Sequence, residues 1–245
     1  MEAACKGSTQ LPFSSDKKIN LSALAEEDYM KTSLRIASAS AYGAVLMEDG
    51  LKPLMKQRLT HICIKHIKKI TCTESQHIQT GNSAQIGLLM VVCHVVCASD
   101  LSKLNQAIVH SLATLLVKGF STDLFEYSSR MATNLPAETA RARTLTISAL
   151  LKLLCTAPTA VDGFVLEIVS GLLRSYAISD PSAEIGCKLV TLQALEVLTH
   201  LNGAKDSILA VKPAVITILS SAMSQKNVLL RSAAVDVRNM WCLIT

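Results

Sequence analysis

Apolar residues in this chain recur at helical rather than strand spacing, and in its last third they recur again at the longer period of a structural repeat. Ile147, Leu192 and Val235 occupy equivalent points of three apolar helices, about 45 and 43 residues apart. That interval lies inside the window for paired-helix HEAT or armadillo repeats. Small residues (Ala149, Ala194, Ala234) recur beside them, where neighbouring helices need close approach. Each of the three is preceded by another amphipathic helix. A helix pair that leaves one face apolar cannot close its own core, so it must stack on neighbours, and the stack presents an extended surface to other proteins.

Read along the chain, residues 1–20 mix Ser, Lys, Gly and Pro without helical period and are expected to form a linker or tail. A leading helix is expected from Glu26 to Met47, and a long one after Lys52-Pro53 to about Lys69, with Pro53 suited to its first turn. The polar stretch Thr71–Ser83 separates it from Ala84–Ala98, which is apolar nearly all round and so expects burial on several sides. Ser102–Lys118 follows, stopped by Gly119, and Phe120–Pro136 reads as either a short helix or a loop. Ala140–Cys155, Phe164–Tyr176, Ala183–Leu201, Ser207–Met223 and Val228–Ile244 complete the series, and Asn202-Gly203 is a strong stop. The expected fold is all-α: a HEAT/armadillo-type α-solenoid of about four helix pairs plus a leading helix, spanning residues 21–245.

Composition agrees with helix-on-helix packing. Half of the 245 residues are hydrophobic but only 4% are aromatic, and 10 glycines and 6 prolines are too few for a turn-rich all-β chain. A net charge of +5 is too modest for a dedicated nucleic-acid binder. Mean hydropathy is high, at +0.36, yet charged residues interrupt every apolar run before it could span a membrane. The surplus predicts faces that expect partners and, with a cut N-terminal edge, self-association. Eight cysteines scattered through apolar helices, with no signal peptide, suit a reducing intracellular compartment rather than a disulfide framework.

Candidate chemistry is sparse. His61, Cys63 and His66, and separately Cys93, His94 and Cys97, lie close in sequence. Without a C-x-x-C pair, buried thiols in apolar helices are the better reading than a metal centre, and no metal or cofactor is expected. No nucleophile elbow, phosphate-binding Gly-rich loop or H-E-x-x-H helix is present, so an enzyme is not expected. Arg58, His61, Lys65, Lys68 and Lys69 fall near one face of the Lys52–Lys69 helix, opposite Leu59, Ile62, Cys63 and Ile67. This candidate basic patch reads first as a solvated face, then as a site for an acidic protein segment, and last as a phosphate-binding strip, since it lacks aromatics for base stacking. The closing helix holds the only tryptophan, Trp241, near Arg238. It either caps the core or anchors a partner, because Trp and Arg are enriched at binding hot spots.

The stretch Ile208–Ile216 with Lys212-Pro213, followed by Leu230-Arg231-x-x-Ala234-Val235-x-x-Arg238-x-x-Trp241-x-Leu243, resembles the C-terminal end of the MMS-type (methyl methanesulfonate sensitivity) HEAT adaptor. Thr146–Leu151 with Ala157-Pro158 resembles its preceding repeat, and Ala41-Tyr42-Gly43, Leu46-Met47 and Gln57-Arg58 its opening helices. Taken together the similarity covers about residues 35–244 and only the C-terminal domain of that longer family. The resemblance implies a non-enzymatic, cytoplasmic and nuclear scaffold of cytosolic iron–sulfur assembly. Such a scaffold docks a cluster-carrier subunit and, through it, a WD-repeat propeller subunit. Clusters then pass to iron–sulfur apo-proteins of transcription, DNA replication and DNA repair. It further implies Lys212, Arg231, Arg238 and Trp241 as partner-binding candidates and Pro213, Ala234 and Val235 as structural motif positions.

Overall fold

The structure is a computed structural model, and its described residues are 54–55, 58, 60–62, 82–121, 136–177 and 185–245. Every regular element among them is helical. Seven α-helices carry the architecture: α1 (Asn82–Ala98), α2 (Gln106–Ser121), α3 (Pro136–Thr156), α4 (Val165–Ala177), α5 (Ile185–Leu198), α6 (Lys205–Ala222) and α7 (Val228–Leu243). Short 3-10 turns link several of them, at Leu101–Lys103, Pro158–Ala160, Asp162–Phe164 and Asn202–Ala204. The expected tail, the Glu26–Met47 helix and most of the uncertain Phe120–Pro136 stretch lie outside the described residues.

The odd-numbered helices pack in one row, α1 on α3, α3 on α5 and α5 on α7; the even-numbered ones pack in a second, α2 on α4 and α4 on α6. The rows meet through α1–α2, α2–α3, α4–α5 and α6–α7. A helix inside a row has neighbours on two sides, and α3 and α5 show this in their sequences. Buried Ala142, Arg143, Thr146, Ile147, Ala149, Leu150 and Leu153 of α3 each have a buried counterpart in α5 45 residues on: Cys187, Lys188, Thr191, Leu192, Ala194, Leu195 and Leu198. Both buried threonines donate to the carbonyl four residues earlier, Thr146 to Ala142 at 2.9 Å and Thr191 to Cys187 at 2.8 Å. A buried hydroxyl is thereby satisfied without a partner from another helix.

Two contacts fix which stripe faces which neighbour. Cys93 Sγ of α1 lies 3.6 Å from Thr146 Oγ1, so the stripe of Ala142, Thr146, Ala149 and Leu153 faces α1. Trp241 of α7 donates its indole N–H to the Leu195 carbonyl at 2.8 Å, so the stripe of Lys188, Leu192 and Leu195 faces α7. With a further 43-residue step, buried Leu230, Ala234, Val237 and Trp241 of α7 fall on Cys187, Thr191, Ala194 and Leu198. Each large apolar side chain so buried contributes about 1.5–3 kcal/mol.

Three boundaries depart from the sequence expectation: α2 begins at Gln106 rather than Ser102, where a 3-10 turn precedes it, α3 begins at Pro136 rather than Ala140, and α2 runs past its expected end. Gly119 does not stop the second helix, which continues to Ser121 without any positive φ. Its role is close approach: a Cβ there would sit 2.7 Å from Leu89 Cδ1 of α1. Gly171 does the same in the second row, where an added Cβ would lie 2.5 Å from Cε1 of the Phe120 ring. Leu89 can swing a methyl aside, whereas the Phe120 ring must move as a plate. Gly171→Ala is therefore expected to lower stability by about 1–3 kcal/mol through overpacking. Gly163→Ala, with open space around it, serves as the control in the same urea titration.

Candidate docking face

The motif residues gather on α6 and α7, but three of the four partner-binding candidates serve the fold. Trp241 is completely buried, with its indole on the Leu195 carbonyl. The Thr199 amide donates to Glu196 rather than one residue further back, and the indole supplies a donor to Leu195 near the C-terminus of α5. A partner anchor must be reachable from solvent, so Trp241 is a core residue instead.

Lys212 extends from α6 to the end of α7 and donates to the carbonyls of Cys242 and Ile244 at 3.2 and 2.7 Å. Arg231 donates through one guanidinium nitrogen to the carbonyls of Gln225 and Lys226, at 2.9 and 2.8 Å, and so ties down the turn between α6 and α7. Lys212 places a cation where the end of α7 presents unpaired carbonyls and partial negative charge, whereas the carbonyls that Arg231 meets belong to the turn.

Two other cations take part in the packing, Lys152 at a helix end and Lys188 among side chains, and neither is a candidate by sequence. Lys152 of α3 donates to Cys97 and Ser99 carbonyls at the end of α1, at 2.6 and 2.8 Å. Lys188 lies buried, 5.4 Å from the centre of the Tyr176 ring and 3.5 Å from Gln225 Oε1. The signal was present in the repeat itself, since Arg143, Lys188 and Arg231 share one repeat position.

Arg238 differs. It occupies the position of Leu150 and Leu195, is partly exposed, and its Nε is buried without a hydrogen-bond partner. Beside it Val235 is 40% exposed, although Ile147 and Leu192 at the same repeat position are fully buried. Val228, Leu229 and Leu243 are exposed by 66%, 64% and 79% on the same helix. Of the structural motif positions, Ala234 is buried against the row, and Pro213 is exposed inside α6 with its carbonyl accepting from Thr217. The exposed side of α7 thus carries an apolar strip of Val228, Val235 and Cys242, with Arg231 and Arg238 along one edge and Ser232, Asp236 and Asn239 along the other.

Of the remaining candidates, Cys63 and His66 lie outside the described residues, and the α1 cysteines are thiols buried fully or in part. Cys93 is wholly buried, and burial pushes its thiol up to about 12, with the Thr146 hydroxyl only partly opposing this. Burial likewise raises the Cys97 thiol, against the pull of Lys152. Such thiols are poor nucleophiles and poor metal ligands. Among the described residues no three of His, Cys, Asp and Glu come together as metal ligands would, and no helix is long and apolar enough to cross a membrane.

His94 is held below the ordinary histidine range, first by burial and then by the charge of Arg141. The unfolded chain therefore takes up the proton first as pH falls. Stability is expected to decline as pH drops below the ordinary histidine value of 6.5 and to keep declining until the folded-state value is passed. His94→Gln should flatten that segment of a pH–melting curve.

In the candidate basic patch Arg58 and His61 are exposed, as expected of a solvated face; Lys65, Lys68 and Lys69 lie outside the described residues. Ile62, expected on the apolar side, is 50% exposed, while Thr60 is the buried one among the described residues of this segment. Comparison with protein-family models, curated proteins and solved structures finds no match for this chain.

Proposed function

We propose that the chain is a HEAT-type α-solenoid and a non-enzymatic adaptor, in the manner of the C-terminal domain of the MMS-type scaffold it resembles. In this reading it works in cytoplasm and nucleus. It docks the cluster-carrier subunit, and through it the WD-repeat propeller subunit, of the cytosolic iron–sulfur targeting complex. The observation that carries the reading is the outer side of α7, where Val235 stands exposed at a position that α3 and α5 bury. A row of stacked helices with one such side is built to be continued by something else.

The test is capture of purified carrier subunit by this chain and by Leu229→Glu and Val235→Glu variants. Both sites are exposed, so neither change should unfold the protein. Arg231→Glu is a poor probe, because it would also release the α6–α7 turn. Capture by the parent and its loss in the two variants supports docking on α7; equal capture by all three removes α7 from the interface. A second reading, a basic strip for nucleic acid or acidic protein segments along Lys52–Lys69, draws on the exposure of Arg58 and His61. It requires affinity that falls steeply with salt.

A further inference from the structure

We infer that the outer side of α7 takes an amphipathic helix from a protein partner whose apolar strip carries carboxylates along one border. The inference rests on the docking reading for its place and goes beyond it for the chemistry of the occupant. Val228, Val235 and Cys242 are seven residues apart and line one side of α7, all exposed. The repeat register equates Arg231, Val235 and Arg238 with Lys188, Leu192 and Leu195 of α5, and those three lie under α7. A stripe of this geometry is therefore covered by a helix elsewhere in the same molecule.

The change of residue type says what kind of helix. Where α3 and α5 offer Leu150 and Leu195 to the next helix, α7 offers Arg238, and its Nε is buried without a hydrogen-bond partner. An ionised donor held out of water gains most from an ionised acceptor. Arg231 and Arg238 lie on the same border of the strip, each one helical turn after Val228 and Val235 respectively, while Ser232, Asp236 and Asn239 occupy the other border. The positive border is reinforced at the near turn by exposed Lys226.

This arrangement also argues against an antiparallel second copy of the chain. Two α7 helices paired antiparallel about a two-fold axis bring like borders together, so Arg231 and Arg238 would face their own counterparts. A partner helix with Glu or Asp on the facing border meets the same strip with attraction instead. Nucleic acid would satisfy the arginines but leave Val228, Leu229, Val235 and Leu243 exposed.

The test uses the whole chain and two synthetic helical peptides with the same leucine seam, one carrying Glu along one border and the other Lys at the same positions. The Glu peptide is expected to bind about ten-fold or more tightly at low salt, with the gap narrowing as salt screens the pair. Arg238→Glu should reverse the preference, and Val235→Glu should abolish binding of both, with helical circular dichroism unchanged. Equal binding of the two peptides to the parent chain overturns the inference without reliance on any variant. It is equally overturned by a sedimentation dimer that Val235→Glu converts to monomer, or by an oligothymidylate that outcompetes the Glu peptide. Carrier-subunit capture without discrimination between the peptides would leave docking standing and remove this chemistry. Discrimination without capture would do the reverse.

Discussion

Trp241→Ala should lower the stability of the folded chain by about 3–5 kcal/mol, the range for emptying a large aromatic site in a packed core. The side chain is wholly buried between α7 and α5, and its removal also withdraws the donor from the Leu195 carbonyl. Trp241→Phe separates the two contributions. It retains most of the apolar volume and leaves the carbonyl without the indole, so its cost should fall to about 1–3 kcal/mol. Urea unfolding followed by circular dichroism measures both. In the parent chain Trp241 is the sole tryptophan, so its emission should shift to the red in the same transition that the circular dichroism records. If instead Trp241 were a surface anchor, Trp241→Ala would leave the midpoint within a few tenths of a kcal/mol and weaken only binding.

That contrast shows how far the sequence could be read. The helices were legible because their apolar residues repeat at a helical period between polar turns, and five of the seven described α-helices begin and end within about three residues of where that pattern predicts. The long period was legible too: Ile147, Leu192 and Val235 are equivalent in the register that the buried stripes define. What local pattern cannot state is which side of a helix meets a neighbour. Trp241 lies on the side of α7 turned to α5, while Val235, six residues earlier, lies on the side turned away, and only the packing separates them.

The structural contacts of the cations are hidden from local pattern for a related reason. Lys212 looks like an exposed binding residue until its amine is found on carbonyls 30 and 32 residues away. Gly119 has the residue type of a helix stop, and the contact with Leu89 that explains it comes from another helix. In each case a distant partner in the chain decides the role, and a local motif carries no trace of it. Arg143 and Lys188 are paired by the 45-residue period, which runs through buried cations as well as through apolar residues.

Alanine at the three equivalent positions should give three unequal costs. Ile147 and Leu192 are fully buried between neighbours of one row, and their truncation should cost about 2–5 kcal/mol each. Val235 sits at the same repeat position on α7 but is 40% exposed, so Val235→Ala should cost less than about 1 kcal/mol. The residues are similar in size, so the difference reports the presence or absence of a covering helix rather than side-chain chemistry. The same variants locate a partner. Binding of a helix over α7 would bury Val235 as α7 buries Leu192, and Val235→Ala should then lower partner affinity by about three- to twenty-fold, roughly the 0.6–1.8 kcal/mol of a part-buried valine. Ile147→Ala, far along the row, should destabilise the chain and leave affinity unchanged at a temperature where it remains folded. A Val235→Ala cost as large as that of Leu192→Ala would mean that α7 is already covered in the free chain, and the docking face would have to be sought elsewhere.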